Sequence, residues 1–371
     1  MTGIMFQSFA VYTTLTIIML YLSDKGRAKQ QRKYMVCAIA LYSVVFGIRY
    51  GVGVDYFNYL DNYNSTGYWG VSEDFEAGFN LLTELLASIN AHYTVYFGVI
   101  AFLQLFFTFL ALKDEYRLYP YLIFSFMIGA YWLSYSNCLR QVLAMSLWIW
   151  AIKFIPEKKV WQHYLAIAVA CSMHTSAVTL LLFYPIFRWK QEWFRNIKLE
   201  LTLLALALGL MFLIPLQSLL KNFDVLIITA GYEAYLDSDY ASHLNDDITL
   251  GLGFVVSLAI NILLIVFSNK VKEFFKSKYL NIVYDLFVIG VIWKYIFINS
   301  MLFTRASYYF VFMIILVTAF TMYYARQKNK PLFYALAALL VVLFFGTLRS
   351  GDDNTASYLF FWQKDLFYLK F

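Results

Sequence analysis

Long apolar stretches follow one another along this chain about a dozen times, separated by short polar breaks. A helical crossing of a bilayer needs about 20 such residues. Inside lipid, backbone N–H and C=O groups must find partners within the chain, which helices provide. The chain is therefore expected to fold as an all-α, polytopic membrane bundle of about 12 transmembrane segments. Composition agrees: 61% of the residues are hydrophobic and 14% charged, against about 25% charged in a soluble domain. Little sequence is left for a soluble catalytic domain, so any chemistry belongs to the bundle or its loops. The net charge of +6 is dispersed over short loops, which excludes a nucleic-acid-binding reading. Cys37, Cys138 and Cys171 have neither metal-ligand spacing nor a disulfide framework. The first 22 residues lack a basic start and a small-residue cleavage site, and are expected to be a retained span.

Most of the 29 basic residues fall in clusters near 25–33, 113–117, 153–159, 188–198, 270–278 and 326–330. These alternate with the spans. The bias of Lys and Arg towards cytoplasmic loops places that side inside and both termini outside. Residues 1–371 then form a single integral membrane domain. It has long outer loops near 49–92 and 217–249 and an aromatic, interfacial C-terminal tail near 356–371. The first outer loop carries an expected interfacial helix near 79–89, with Asp74 and Glu76 by its start. Long loops on a compact bundle are usually functional.

Four arginines, Arg49, Arg140, Arg305 and Arg349, depart from the loop pattern and sit at the outer ends of apolar spans. A guanidinium in hydrocarbon costs roughly 2.5–3.5 kcal/mol at mid-helix on insertion scales. An anionic ligand at that face would offset the cost, and a diphosphate matches the planar fork. Arg49 opens the segment Arg-Tyr-Gly-Val-Gly-Val-Asp-Tyr at 49–56, which ends on Asp55 and Tyr56. Without a ligand, the same segment reads as an Arg49–Asp55 ion pair fixing the loop. Arg140 follows Asn137 at the start of the 139–155 run, and snorkelling to lipid headgroups is the plain alternative. His174 tops a hairpin between two short runs, 163–173 and 175–187. A histidine is the natural general base near neutral pH, and its plain reading is a structural histidine bonded to a carbonyl. Asp55 is the second candidate base. Tyr56, Tyr59, Trp69, Tyr232 and Tyr235 are candidate platforms for sugar rings, or members of an aromatic belt. Asp285 reads as the partner of nearby Lys278. No metal site is expected: Asp352 and Asp353 read as a solvated turn, and His243 with Asp239, Asp246 and Asp247 as solvated, with a weak divalent site as the alternative.

The segments at 49–56, Leu-Arg-Gln-Val-Leu-Ala at 139–144, Met-His-Thr-Ser-Ala at 173–177 and Arg-Ala-Ser-Tyr-Tyr-Phe at 305–310 occur in that order. Together they resemble the EpsG family of bacterial exopolysaccharide biosynthesis proteins, which is similar to the Wzy O-antigen polymerases. The resemblance implies a GT-C-type membrane glycosyltransferase that polymerises undecaprenyl-diphosphate-linked oligosaccharide, as both donor and acceptor. It places the protein in the bacterial cytoplasmic membrane, acting on the periplasmic or extracellular face. It makes Arg49, Asp55, Arg140, His174 and Arg305 the functional residues; Arg349 rests on topology alone. A flippase and a chain-length regulator are the implied protein partners, and no cofactor is expected. An O-antigen ligase would use the same donor. A membrane polysaccharide transporter or flippase is the non-enzymatic alternative, which the absence of an internal repeat weakens.

Overall fold

The computed structural model describes residues 3–72, 74–213, 251–298, 301–350 and 356–368. The chain divides into two compact units, residues 1–191 with 318–371 and residues 192–317.

In the first unit, α1 (Gly3–Lys29) and α2 (Arg32–Gly47) lead into a two-residue strand, β1 (Arg49–Tyr50). Two helices of the outer loop follow, α3 (Tyr56–Trp69) and α4 (Ala77–Ser88), and then α5 (Tyr93–Leu110). The chain continues through α6 (Tyr119–Ile128), α7 (Trp132–Asn137), α8 (Leu139–Ala151) and α9 (Val160–Met173). A 3-10 segment, Thr175–Leu182, and a short helix, Phe183–Trp189, complete the hairpin above His174.

Small residues let these helices approach closely. Ser43 and Gly47 on α2 face Thr94 and Gly98 on α5, the paired small-residue spacing that membrane helices use. The Ser43 hydroxyl donates to the Gly98 carbonyl at 2.7 Å. A Cβ on Gly47 would lie 2.6 Å from the Thr94 carbonyl oxygen and 3.0 Å from the Gly98 Cα.

The unit has two chemically different ends. At one end Arg32 pairs with Asp114, Tyr119 donates to the Lys113 carbonyl, Arg117 lies over Tyr323, and Lys153 feels the charges of Lys113 and Asp114. The basic clusters at 25–33, 113–117, 153–159 and 326–330 thus share that end. At the other end are β1, α3, α4 and His174. There the C-terminal segment turns back, and β2 (Leu359–Phe360) pairs antiparallel with β1, Arg49 opposite Phe360 and Tyr50 opposite Leu359. The Tyr358 hydroxyl donates to the Val45 carbonyl at 2.6 Å, and Gln7 on α1 bonds Gln363 at 2.7 Å. Phe367 fills the space beside Gly51, whose positive φ of 66° suits glycine. In this structure the tail, expected as an interfacial anchor, is also a strap over the Arg49 loop.

In the second unit, Asp285 is fully buried on the helix Lys278–Ile296. Its carboxylate accepts the Trp193 N–H at 2.6 Å and the Phe194 N–H at 3.1 Å, with the Lys272 ammonium at 3.9 Å. The expected pairing with Lys278 gives way to these contacts. Lys278 stands seven residues, about 10 Å of helix rise, from Asp285, and Lys272 approaches instead.

Among the described residues, five helices are long and apolar enough to cross a membrane, or six if the pair Leu252–Val266 and Ser268–Phe275, bent by 50°, is one span. Among the described residues, the helices of that length are fewer than the dozen spans expected from the sequence. Much of the remaining apolar chain lies in shorter pieces: 10 residues in α6, 13 in α8 and 14 in α9. Between α6 and α7 the chain turns at Ala130, with φ of 57°. Hydropathy counts apolar residues and does not register such breaks. The apolar helices nevertheless make this a membrane protein.

Candidate functional site

The site is built around Glu76, which sits at the N-cap of α4 without capping it through its side chain. Its backbone carbonyl accepts the first helical bond, from Asn80 N–H at 2.9 Å, leaving the carboxylate to reach across to two other helices. Oε1 lies 2.8 Å from His174 Nδ1 and accepts the Thr175 N–H at 2.9 Å. Oε2 accepts from the Arg140 guanidinium at 2.7 Å. His174 ends α9 in extended backbone, φ −159° and ψ 119°, which lifts its ring away from the helix axis. Arg140 lies in the first turn of α8 and also donates to the Asp74 carbonyl at 3.2 Å. Its guanidinium lies 4.1 Å from the centre of the Phe75 ring, a cation–π contact.

Gly78 makes this meeting possible. A Cβ there would sit 2.2 Å from Ser172 Oγ and 2.7 Å from Ser172 Cβ, so only glycine lets α4 lie against the end of α9.

The charges are partly withdrawn from solvent. The Arg140, His174 and Glu76 side chains keep 21%, 14% and 12% of their surface. Burial by itself would raise the Glu76 carboxyl. The His174 hydrogen bond, the Arg140 charge and the Thr175 N–H outweigh it and bring the group down to about 2. Glu76 is therefore ionised near neutral pH and can only accept hydrogen bonds. His174 Nδ1 must then carry the proton in that contact, so in the neutral ring Nε2 holds the lone pair. Tyr59 is coupled electrostatically to Arg140, and burial pushes its phenol up to about 12.

Asp55 joins the same neighbourhood. Its backbone N–H donates to Asn137 Oδ1 at 2.8 Å, binding the 49–55 loop to the break before α8. Both Asp55 and Arg140 act electrostatically on Tyr59. Thus Asp55, Tyr59, Arg140 and His174, chosen from sequence, converge in the first unit.

The other chosen residues are placed differently. Arg49 is 1% exposed, and its guanidinium faces inward. It donates to the Phe46 carbonyl, to Ser136 O at 3.0 Å and to Val52 O at 3.4 Å. Its charge lies 4.8 Å from the Phe97 ring centre. These contacts, rather than an ion pair with Asp55, hold the loop. They also remove Arg49 from the surface that a diphosphate would reach. Tyr56 is fully buried, stacked on Phe97 at 4.6 Å with its hydroxyl donating to the Arg49 carbonyl. Tyr59 is 6% exposed in the same aromatic core. Neither ring has a free face for a sugar. Arg349 is exposed at the end of the helix Lys330–Ser350. Arg305 is half-buried on the helix Met301–Val311 of the second unit. The Trp69 side chain, Tyr232 and Tyr235 lie outside the described residues.

Glu76 was not singled out from sequence as a functional residue. The available signal was an acid two positions before a glycine, at the start of an otherwise apolar helical run.

A sequence model of the EpsG family matches residues 32–360. The chain belongs to the EpsG family. No curated protein and no solved structure matches it at a significant level. The family match spans all four motifs and every element of the Glu76 site, so the site lies within the EpsG region. EpsG membership makes this a membrane protein of exopolysaccharide biosynthesis.

Proposed function

We propose that this EpsG-family protein is a polysaccharide polymerase of GT-C-like architecture in the bacterial cytoplasmic membrane. It transfers an undecaprenyl-diphosphate-linked glycan onto the non-reducing end of another lipid-linked repeat unit. One observation supports this reading above the others. A histidine, held through Nδ1, and an arginine share one carboxylate, at the end of the unit opposite the basic loops. By the positive-inside rule that end is extracytoplasmic, where a flippase would deliver lipid-linked sugars and a chain-length regulator would act.

His174 Nε2 takes the proton of the acceptor hydroxyl as the sugar is attacked. The bond from the anomeric carbon to the diphosphate oxygen breaks, and negative charge grows on the leaving diphosphate. Arg140 meets that charge, stabilising the transition state more than the ground state. Arg349, at the same end of the unit, is a further cation for the diphosphate. Arg305 is proposed on its motif alone. Arg49 and Tyr56 shape the loop, and Asp55 stands as the alternative base. With cationic side chains facing the diphosphate, the reaction needs no metal or cofactor.

The test is reconstitution with purified lipid-linked repeat units. His174→Ala should abolish the polymer ladder, and Arg140→Lys, which keeps charge but loses the fork, should lower its yield at least tenfold. Chelator should leave the wild-type ladder intact. An undiminished ladder from His174→Ala would remove His174 from the reaction.

A further inference from the structure

The Glu76 carboxylate holds two partners of opposite duty. Oε1 is engaged by His174 and Thr175, and Oε2 by Arg140. A diphosphate arriving at Arg140 would bring a second anion to a guanidinium that already carries one. Arg140 Nη1 serves both Oε2 and the Asp74 carbonyl, so a diphosphate drawn to that nitrogen meets an anion already bound there.

We propose that Glu76 is a positioning residue that couples donor binding to acceptor activation: the donor diphosphate displaces Oε2 from Arg140, and the released carboxylate charge then backs His174. The inference rests on the polymerase reading. The contact through Oε1 fixes the ring with Nδ1–H towards Glu76 and Nε2 towards the substrate. While Oε2 is bound to Arg140, part of the carboxylate charge is neutralised by the guanidinium. Once the diphosphate takes that place, the carboxylate is left to stabilise the imidazolium formed when Nε2 accepts the hydroxyl proton. No bond is made or broken at Glu76, and the proton remains on His174 until it is released to water. Until a donor arrives, Glu76 holds the place at Arg140 that its phosphate would take, which keeps Arg140 paired and the base weakly supported.

Glu76→Gln separates these duties. Its amide oxygen can still accept from Nδ1–H and Thr175 N–H, but it carries no charge and its NH2 cannot bind Arg140. Calorimetric titration with inorganic pyrophosphate should show binding at least about tenfold tighter than wild type, since the competing anion is gone. In the ladder assay KM for the lipid-linked unit should fall while kcat drops about 10²-fold or more, the scale of a general base that has lost its support. A merely structural carboxylate would raise KM or leave both unchanged. Pyrophosphate affinity equal to or weaker than wild type would overturn the displacement, and an unchanged kcat would overturn the support of His174.

A measurement on the wild-type protein guards against misfolding of the variant. In 15N-histidine-labelled protein, the His174 signals, assigned by their loss in His174→Ala, should show Nδ1 protonated and Nε2 unprotonated once the ring is neutral. The opposite tautomer would sink the arrangement. If wild type makes no ladder while Glu76→Gln still binds pyrophosphate more tightly, the polymerase reading falls and the competition at Arg140 stands.

Discussion

Arg49 and Arg140 are the same residue type at the same end of one unit, and the chain uses them differently. Arg140 keeps a fifth of its side-chain surface and an ionic partner. Arg49 is enclosed, and its donors meet main-chain carbonyls of Phe46, Val52 and Ser136. Removing a ligand contact would leave a folded, inactive protein. Removing Arg49 leaves buried carbonyls without donors and a cavity beside Phe97. Arg49→Ala should therefore destabilise the protein by roughly 3–5 kcal/mol, from buried carbonyls that each lose a donor at about 1–3 kcal/mol and from the cavity. Thermal unfolding in detergent is the measurement. A wild-type midpoint would return Arg49 to the surface as a substrate contact. From the sequence both arginines were simply charges beside apolar runs. Which one turned inward depended on where residues 87 positions away, around Ser136, came to lie.

At the scale of the element, α4 decides whether the site exists. It was legible as an interfacial helix near 79–89, because amphipathic spacing is local, and the structure places it at Ala77–Ser88. Its job was not legible. The Glu76 contact to His174 spans 98 positions and the one to Arg140 spans 64, and no local pattern encodes either. Gly78 is the pivot of this docking. In Gly78→Leu a Cβ 2.7 Å from Ser172 Cβ and 2.8 Å from Met173 Cε must push α4 away from α9. We expect a loss of about 1–3 kcal/mol, the usual scale of overpacking, with ladder synthesis falling at least tenfold as Glu76 leaves His174. Gly67→Ala on α3, where an added Cβ meets nothing within 4 Å, should leave both measurements near wild type. Equal effects from the two substitutions would separate the α4–α9 contact from the site.

For the whole molecule the consequential property is sidedness. The first unit carries its basic clusters at one end and the Glu76 site at the other, and the positive-inside rule turns that asymmetry into an orientation. Glu84 is exposed on α4 at the site end, and Glu157 sits among the basic loops. In intact cells a membrane-impermeant maleimide should label Glu84→Cys and spare Glu157→Cys, with the wild type as blank; after lysis both should react. Labelling of Glu157→Cys alone in intact cells would invert the orientation and place the site on the cytoplasmic side.

Hydropathy, charge bias and the order of four short motifs are properties of neighbouring residues. The amino-acid string by itself therefore determined that this is a helical membrane protein, which segments are apolar, and that it belongs among the EpsG proteins. It marked His174 and Arg140 because polar groups beside apolar runs are conspicuous. Only the tertiary structure decided that Glu76 joins them, that Arg49 and Tyr56 are enclosed, that Asp285 meets Lys272 rather than Lys278, and that the C-terminal segment straps the Arg49 loop. Those outcomes depend on which distant surfaces pack together, and on small residues such as Gly47 and Gly78 that let backbones approach. Burial and pairing are set by those contacts, so they cannot be read from any short stretch of the chain.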